Sequence, residues 1–282
     1  MTAHKSQKHQ GFTLVELVTV IVVLGVVSVG IFGFIRTGVD IYSDVTQRAQ
    51  LLNDSRFVIE RINRELRGAI PNSVRVASTT NNTIQCIEFV PSEWVTFYTF
   101  LSVTPDISNN AVVVEFFDNE IDFVLSSGDF AVVYPLNNSD LYDLTENRRQ
   151  EITACTNASN NCSMQDVSGT VQLSVTNPFD AHSPASRLYI ANKAVSYCVR
   201  ANDNTIYRHQ NTINTNQEVY LTGGVLMGEN VVNNLADTSP DKPFTVYDAA
   251  LNRNGLVNIL LAFERDDEII NFNSEVHIDN VP

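Results

Sequence analysis

The chain has 282 residues, 44% of them apolar, and a formal charge of −14 at pH 7. The 212 residues that follow residue 70 are enough to form one sizeable globular domain. The acidic balance, with no local basic patch, disfavours a protein that binds nucleic acid.

The first predicted element is an apolar helix near the N-terminus. Residues 17–35 contain no charged residue and no proline. As a helix they extend about 28 Å, close to the ~30 Å hydrocarbon core of a bilayer. The leader before the helix, residues 1–11, carries Lys5 and Lys8 and no acidic residue. The positive-inside tendency therefore places the N-terminus in the cytoplasm and the rest of the chain outside it.

Two simpler interpretations explain this segment less well. A secretory signal peptide has an apolar core of roughly 7–15 residues and a small-residue cleavage site. Here the apolar run is longer, and no alanine occurs between Ala3 and Ala49. A plain membrane anchor explains the length but leaves Glu16 without a reason, because a carboxylate among lipid tails costs a few kcal/mol and usually faces a partner. We therefore expect a positive charge near Glu16.

Gly11, Phe12 and Glu16, followed by the unbroken apolar helix, resemble the N-terminus of a type IV prepilin or of a type II secretion pseudopilin. The resemblance implies that a prepilin peptidase cuts between Gly11 and Phe12, and that Phe12 is then N-methylated. It also implies that Glu16 is an assembly residue, pairing with the N-terminal amine of a neighbouring subunit. Such a pairing is physically reasonable, because a buried carboxylate and a buried ammonium are each costly alone and tolerable together.

The helix is predicted to continue beyond the membrane to residue 70, where Gly68 and Pro71 end it. One face of this continuation is apolar at helical spacing, which predicts packing against a sheet. The residues of this stripe are Ile41, Val45, Leu52, Ile59, Ile62, Leu66 and Ile70.

After Pro71 the pattern changes to short β-like runs separated by turn residues. The spacing predicts antiparallel sheet and, with the N-terminal helix, an α+β, pilin-like fold. Two polar stretches, 137–169 and 230–243, are predicted to be large surface insertions, where binding specificity is usually carried. The predicted strands are 83–90, 94–103, 111–117, 121–125, 130–134, 170–175, 187–190, 194–200, 205–208, 218–221, 244–247, 256–264 and 269–276.

Four cysteines lie in the part of the chain expected outside the cytoplasm, where disulfides form. Cys155 and Cys162 flank a short polar loop and are expected to pair, which leaves Cys86 for Cys198. The alternative is that Cys86 and Cys198 are separate buried thiols. A zinc site is not predicted, because the chain has no C-x-x-C pair and its histidines are scattered.

No catalytic constellation is predicted. His182, His209 and His277 are the only histidines beyond the leader, and the sequence has no G-x-S-x-G, H-E-x-x-H or phosphate-loop motif. We therefore expect a protein that is not an enzyme and that needs no cofactor. Acidic clusters at 118–122 and 266–268 have the chemistry that suits calcium, but solvated turn charge is the interpretation we prefer.

Two C-terminal features narrow the resemblance. Residues 197–208 read as a hairpin with its turn at 202–204, and residues 275–282 read as a terminal strand. Both resemble the large minor pilins of the mannose-sensitive haemagglutinin (MSHA) type of pilus.

Together these inferences predict four regions: a leader (1–11), a transmembrane and filament-core helix (12–35), its amphipathic continuation (36–70) and a β-rich globular domain (71–282).

The predicted function is a minor type IV pilin, incorporated in low copy into an initiation or tip complex. The expected partners are the inner membrane, prepilin peptidase, other major and minor pilins and the pilus assembly machinery, but no nucleic acid. The expected location is the inner membrane, with the C-terminal domain periplasmic, and then the pilus or cell surface. A J-like minor pseudopilin of a type II secretion system and a tip adhesin are the alternatives.

Overall fold

A computed structural model describes residues 11–105, 110–116, 126, 128–156, 169–236, 239–247, 255–266 and 268–278. The chain divides into two compact units between Leu51 and Leu52. A single helix, α1, spans Leu14–Arg67 and so continues from the first unit into the second. The first unit is described up to Leu51 and the second from Leu52 onwards.

In the first unit, α1 exposes apolar side chains on all its faces between Leu14 and Ile35. Val29 and Phe34, for example, are 75% and 82% exposed. Transfer of one such side chain out of water is worth about 1.5–3 kcal/mol, so this part of α1 strongly favours an apolar environment. Within the described residues, α1 is also the one helix long and apolar enough to cross a membrane. Its backbone polar groups are satisfied inside the helix, as a spanning segment requires.

The second unit is built around a five-stranded antiparallel sheet. Its strand order is β1 (Arg75–Ser78), β2 (Ile84–Phe89), β9 (Ala194–Arg200), β10 (Thr205–Asn211) and β11 (Val225–Glu229). Side chains alternate between its two faces. One face carries Ile206 and Arg208, and Arg208 bonds to Glu65 of α1. The opposite face carries Cys86, Cys198 and His209.

Six further strands close an antiparallel barrel. Around the barrel they run β3 (Trp94–Leu101), β4 (Ala111–Phe116), β7 (Gly169–Val175), β6 (Arg149–Thr156), β5 (Phe130–Val132) and β8 (Arg187–Ala191). Along β3, buried and exposed residues alternate up to Tyr98, as expected for a strand with one face toward a barrel interior. The interior is filled by a cluster that includes Trp94, Val114, Leu173 and Phe179.

A three-stranded sheet completes the second unit, in the order β12 (Phe244–Tyr247), β13 (Gly255–Arg265) and β14 (Glu268–Ile278). A short helix, α2 (Asn138–Tyr142), and a 3₁₀ turn (Leu144–Glu146) precede β6. The Leu141 and Tyr142 side chains of α2 pack with residues of β5 and β8 in a second core cluster. The predicted α+β arrangement, a long N-terminal helix with antiparallel sheets, is confirmed.

The C-terminal turns of α1 pack closely on the five-stranded sheet. Val58, Ile62 and Leu66 recur every four residues and are fully buried. Gly228 of β11 allows this approach, because a Cβ there would lie only 2.8 Å from Cγ2 of Val58. In the first unit, by contrast, Ile41 and Val45 of the predicted stripe are 58% and 63% exposed.

Glu65 forms the ion pairs at the same junction. Its Oε2 accepts a hydrogen bond from Nε of Arg208 at 2.9 Å, and its Oε1 pairs with Arg61 on the adjacent turn of α1. Burial raises the pKa of Glu65, but the hydrogen bonds from Arg208 and Arg61 outweigh burial and hold the pKa below its usual 4.5. The ionised carboxylate therefore adds stability that is present above about pH 4.5 and is lost as the pH falls through the lowered pKa.

Replacement of Glu65 by glutamine is expected to lower the free energy of unfolding by about 2–3 kcal/mol at pH 7, because Arg208 loses a largely buried charge partner. Urea unfolding followed by fluorescence of Trp94, the single tryptophan, measures this change. Glu60→Gln, an exposed position on the same helix, should change stability by less than about 0.5 kcal/mol. The difference between wild type and Glu65→Gln should narrow at pH 3; equal effects of the two variants would contradict the assignment.

The prediction of a surface insertion at 137–169 is wrong for its described residues. They form α2, the 3₁₀ turn, β6 and the first residue of β7. The composition was misleading because β6 buries polar side chains that have long-range partners. Arg149 is 2% exposed and donates to the carbonyl of Ile213, and Oε1 of the buried Gln150 accepts from Thr176. In the second predicted insertion, 230–243, the described residues form no helix or extended strand.

The strand predicted at 218–221 is also wrong, and the sheet is extended instead by β11, which the sequence did not reveal. Val219 and Tyr220 use their side chains to pack against the sheet while their backbone stays outside the ladder. Strand β1 was missed as well, because it has four residues and all are only half-buried. The strand predicted at 121–125 lies outside the described residues.

Candidate functional site

The N-terminal end of α1 is organised by Thr13 and Glu16. The helix begins at Leu14, so Thr13 is its N-cap and Glu16 the third helical residue. Oγ1 of Thr13 accepts a hydrogen bond from the backbone N–H of Glu16 at 3.3 Å, and its carbonyl accepts from the N–H of Leu17. Thr-x-x-Glu at a helix start is the capping-box pattern, a signal that the sequence analysis did not use.

Gly11 and Phe12 precede the cap in non-helical backbone. Phe12 is 83% exposed, and Gly11 is exposed as well. A Cβ added at Gly11 would meet no heavy atom within 4 Å, so the packing of this chain does not require glycine there. The peptide bond between the two residues is accessible and lies two residues before the helix. A cut at this bond would leave the Thr13 cap and the helix start intact.

Glu16 lies in the first turn of α1, and its side chain is exposed. A carboxylate at this end of a helix interacts favourably with the helix dipole, by about 0.3–1 kcal/mol at an exposed position. Within the described part of the chain, the structure shows no cation paired with it. The geometry thus brings a predicted cleavage bond and an available carboxylate together at the start of an apolar helix.

Residues 6–32 match the family model for the prokaryotic N-terminal methylation motif. The match covers the predicted cleavage bond, the cap, Glu16 and most of the apolar run. It supports a type IV pilin-like protein that is processed by prepilin peptidase in the context of pilus assembly. Together with the apolar helix, the motif supports anchoring in the inner membrane. No curated protein and no solved structure gave a match to this chain.

A disulfide joins Cys86 of β2 to Cys198 of β9, two residues that lie directly opposite each other in the sheet. Both cysteines are fully buried, and they cluster with Ile84, Val219 and Tyr220. Their sequence separation is 112 residues, so the bond closes a long loop that contains the whole barrel. The predicted partner of Cys155, Cys162, lies outside the described residues.

Next to the disulfide, the same face of the sheet carries a buried ion pair. Nε of Arg75 donates to Oε1 of Glu88 at 2.8 Å, and Oγ of Ser196 donates to the other carboxylate oxygen. The guanidinium of Arg75 also lies 3.4 Å above the ring of Tyr142. Burial raises the pKa of Glu88 more than Arg75 and Ser196 lower it. This pairing across β1 and β2 has no signal in the sequence, because it depends on strand register.

Of the two acidic clusters, Asp266 and Glu268 are among the residues that the structure describes. No group of three or more His, Cys, Asp or Glu side chains converges there as a metal site requires. Asp266 lies in the β13–β14 turn at the edge of an open polar cleft lined also by Asn204, Asn230 and Glu264. The cluster at 118–122 and Asp267 are outside the described residues.

Proposed function

We propose that this protein is a minor type IV pilin, most like the O component of an MSHA-type pilus, that enters an initiation or tip complex in low copy. The observation that carries the proposal is the methylation motif at residues 6–32, in which an exposed Glu16 lies in the first turn of a helix whose apolar side chains are exposed up to Ile35. In the proposed mechanism, cleavage after Gly11 creates a new amine at Phe12, and Glu16 receives the corresponding amine of a neighbouring subunit.

The size of the second unit supports a low-copy position. It spans Leu52–Pro282 and combines a barrel with two sheets. A globular domain of this size would crowd against the same domain of the next subunit if the protein were repeated along a filament. At the end of a filament the domain has neighbours on one side only, so this crowding is smaller.

The proposed life cycle starts in the inner membrane, with the leader in the cytoplasm and the second unit in the periplasm. Prepilin peptidase removes residues 1–11, and the assembly machinery extracts the mature chain into a filament with the other pilins. The protein acts by assembly and not as an enzyme, and it needs no cofactor and no nucleic acid. The second unit would finally lie at the pilus or cell surface.

The decisive test is the N-terminus of the protein purified from native membranes, determined by mass spectrometry. We expect the chain to begin at N-methylated Phe12. A chain that still begins at Met1, or that is cut elsewhere, would contradict the proposal.

A Glu16→Ala strain tests the assembly role in parallel, and we expect it to lose or strongly reduce piliation. Asp40→Ala removes a carboxylate from the same helix outside the apolar run, and piliation should remain. Co-purification with pilus subunits supports the pilin assignment, whereas co-purification with secretion components would favour the J-like pseudopilin. Loss of surface binding at an unchanged filament number would favour a tip adhesin.

A further inference from the structure

The segment 212–224, here called the strap, connects β10 to β11 across the face of the five-stranded sheet that carries the disulfide. Nε2 of Gln217 donates to the carbonyl of Cys86 at 3.0 Å. Val219 and Tyr220 pack against the cluster formed by Ile84, Cys86 and Cys198. The strap therefore covers the disulfide with side chains while its backbone remains unpaired with β2 and β9.

Two arginines hold the strap to the sheet through its carbonyl groups. In its first half, the guanidinium of Arg75 donates to the carbonyls of Asn214 and Thr215 at 2.8 and 2.7 Å. In its second half, Arg200 donates to the carbonyls of Tyr220 and Gly223 at 3.2 and 2.9 Å. The first half is also anchored by Ile213, which is buried in the second core cluster and bonded to Arg149. The second half, residues 217–224, is held by side-chain contacts and not by a continuous strand ladder, so it can separate without breaking the sheet.

His209 occupies the centre of the second attachment. Its ring stacks on Tyr220 with the centroids 4.2 Å apart and the planes 10° apart, and the residue is 8% exposed. Gly224 lies against the same ring: its φ is +88°, and a Cβ there would be 2.5 Å from Cε1 of His209. The ring is thus enclosed by Arg200 of β9 on one side and by two strap residues on others.

The contact between His209 and Arg200 determines the protonation state of the ring. Nη2 of Arg200 lies 3.3 Å from Nε2 of His209. A guanidinium can only donate hydrogen bonds, so Nε2 of His209 must be the acceptor. The single N–H proton of the neutral ring is therefore on Nδ1. An imidazolium would instead place an N–H against the cationic guanidinium in a buried position, which is unfavourable.

We propose that the second half of the strap, residues 217–224, is a pH-sensitive cover over the Cys86–Cys198 disulfide, and that it detaches when the ring of His209 is protonated. Protonation would replace the hydrogen bond to Arg200 by repulsion and so disrupt the stack on Tyr220 and the contact with Gly224. Detachment would expose the Cys86–Cys198 disulfide to solvent.

The surrounding charges support this direction. Burial and the charge of Arg200 lower the pKa of His209 from 6.5 to about 4. Tyr220, whose pKa is raised to about 12 by burial, stays neutral. Of the described residues on this face, no carboxylate bonds to the His209 ring: Glu88 pairs with Arg75 and Ser196, and Glu218 interacts with Asn211 and Tyr220.

The size of the effect follows from linkage. The closed strap favours neutral His209, so closure weakens as the pH falls from about 6.5 towards 4. If detachment restores the ordinary pKa, the ratio of closed to detached strap falls about 30-fold between pH 8 and pH 5.

The rate at which a phosphine reductant opens the Cys86–Cys198 disulfide measures exposure. The full-length protein in detergent micelles is treated at pH 5 and pH 8, and reduced cysteines are alkylated and quantified by mass spectrometry of their own peptides. His209→Phe keeps a flat ring against Tyr220 but cannot be protonated, and comparison with it cancels the pH dependence of the reductant. We expect the pH 5 to pH 8 rate ratio of the wild type to exceed that of His209→Phe by about 30-fold.

The control is His277→Gln, an exposed histidine on β14, which should behave as the wild type. Equal rate ratios for the wild type and His209→Phe would overturn the proposal. If that variant does not fold, the ring of His209 can be titrated by NMR in the wild type. A midpoint near 4 supports the proposal and a midpoint near 6.5 overturns it.

Discussion

Replacement of both Cys86 and Cys198 by alanine is expected to lower the free energy of unfolding of the second unit by about 4–5 kcal/mol. The two residues are 112 positions apart, and the entropy that a cross-link removes from the unfolded chain grows with the size of the loop it closes. Both side chains are fully buried, so alanine introduces no unsatisfied polar group. Urea unfolding of the full-length protein in micelles, followed by the fluorescence of the buried Trp94, measures the loss.

Cys155→Ala/Cys162→Ala is the comparison for this variant. If those two cysteines pair as the sequence predicts, they close a short loop, and the same model gives a loss of only about 2.5 kcal/mol. We therefore expect the Cys86/Cys198 variant to lose more free energy of unfolding than the Cys155/Cys162 variant. A loss below about 1 kcal/mol for the Cys86/Cys198 variant would show that its bond constrains the unfolded chain far less than its separation implies.

Ile62→Ala is expected to destabilise the second unit by about 3–4 kcal/mol. Ile62 is fully buried where α1 packs on the five-stranded sheet, between Val58 and Leu66. Truncation removes apolar contacts and leaves a cavity that the helix and sheet cannot collapse to fill, because both are held by their neighbours. The same unfolding measurement reports the loss.

Ile41→Ala is the matched control, with the same chemical change on the same helix and the same predicted stripe. Ile41 is 58% exposed, so its truncation should change the unfolding of the second unit by less than about 0.5 kcal/mol. Equal losses for the two variants would mean that burial in the second unit is not what makes Ile62 important.

Ile41 and Ile62 show what hydrophobic periodicity can and cannot predict about a helix. The pattern predicted that both positions belong to one apolar face of a helix, and both do lie on α1. It could not show which turns of that face are covered by the second unit, because this depends on where the sheet lies. The ion pair of Glu65 with Arg208 has the same origin, since its partners are 143 positions apart.

The disulfide was likewise predicted in part from the sequence and decided in part by the tertiary structure. The sequence placed Cys86 and Cys198 in strand-like runs and favoured their pairing, but only the register of β2 and β9 puts them opposite each other. In the sequence, His209 is one of three scattered histidines beyond the leader. Its contacts with Arg200, Tyr220 and Gly224 exist only because the strap returns across the sheet.

The sequence by itself determined the fold class and predicted the N-terminal site. The predicted cleavage bond, the helix cap, Glu16 and the long apolar run are local features, because each depends on residues within a few positions of one another. The alternation of most strands is local in the same sense. The tertiary structure alone decided how the strands are divided between a barrel and two sheets, and that β6 and the strap are parts of the packed domain. Both segments are polar, and polar side chains can be buried only where distant residues supply their hydrogen bonds, as Ile213 does for Arg149.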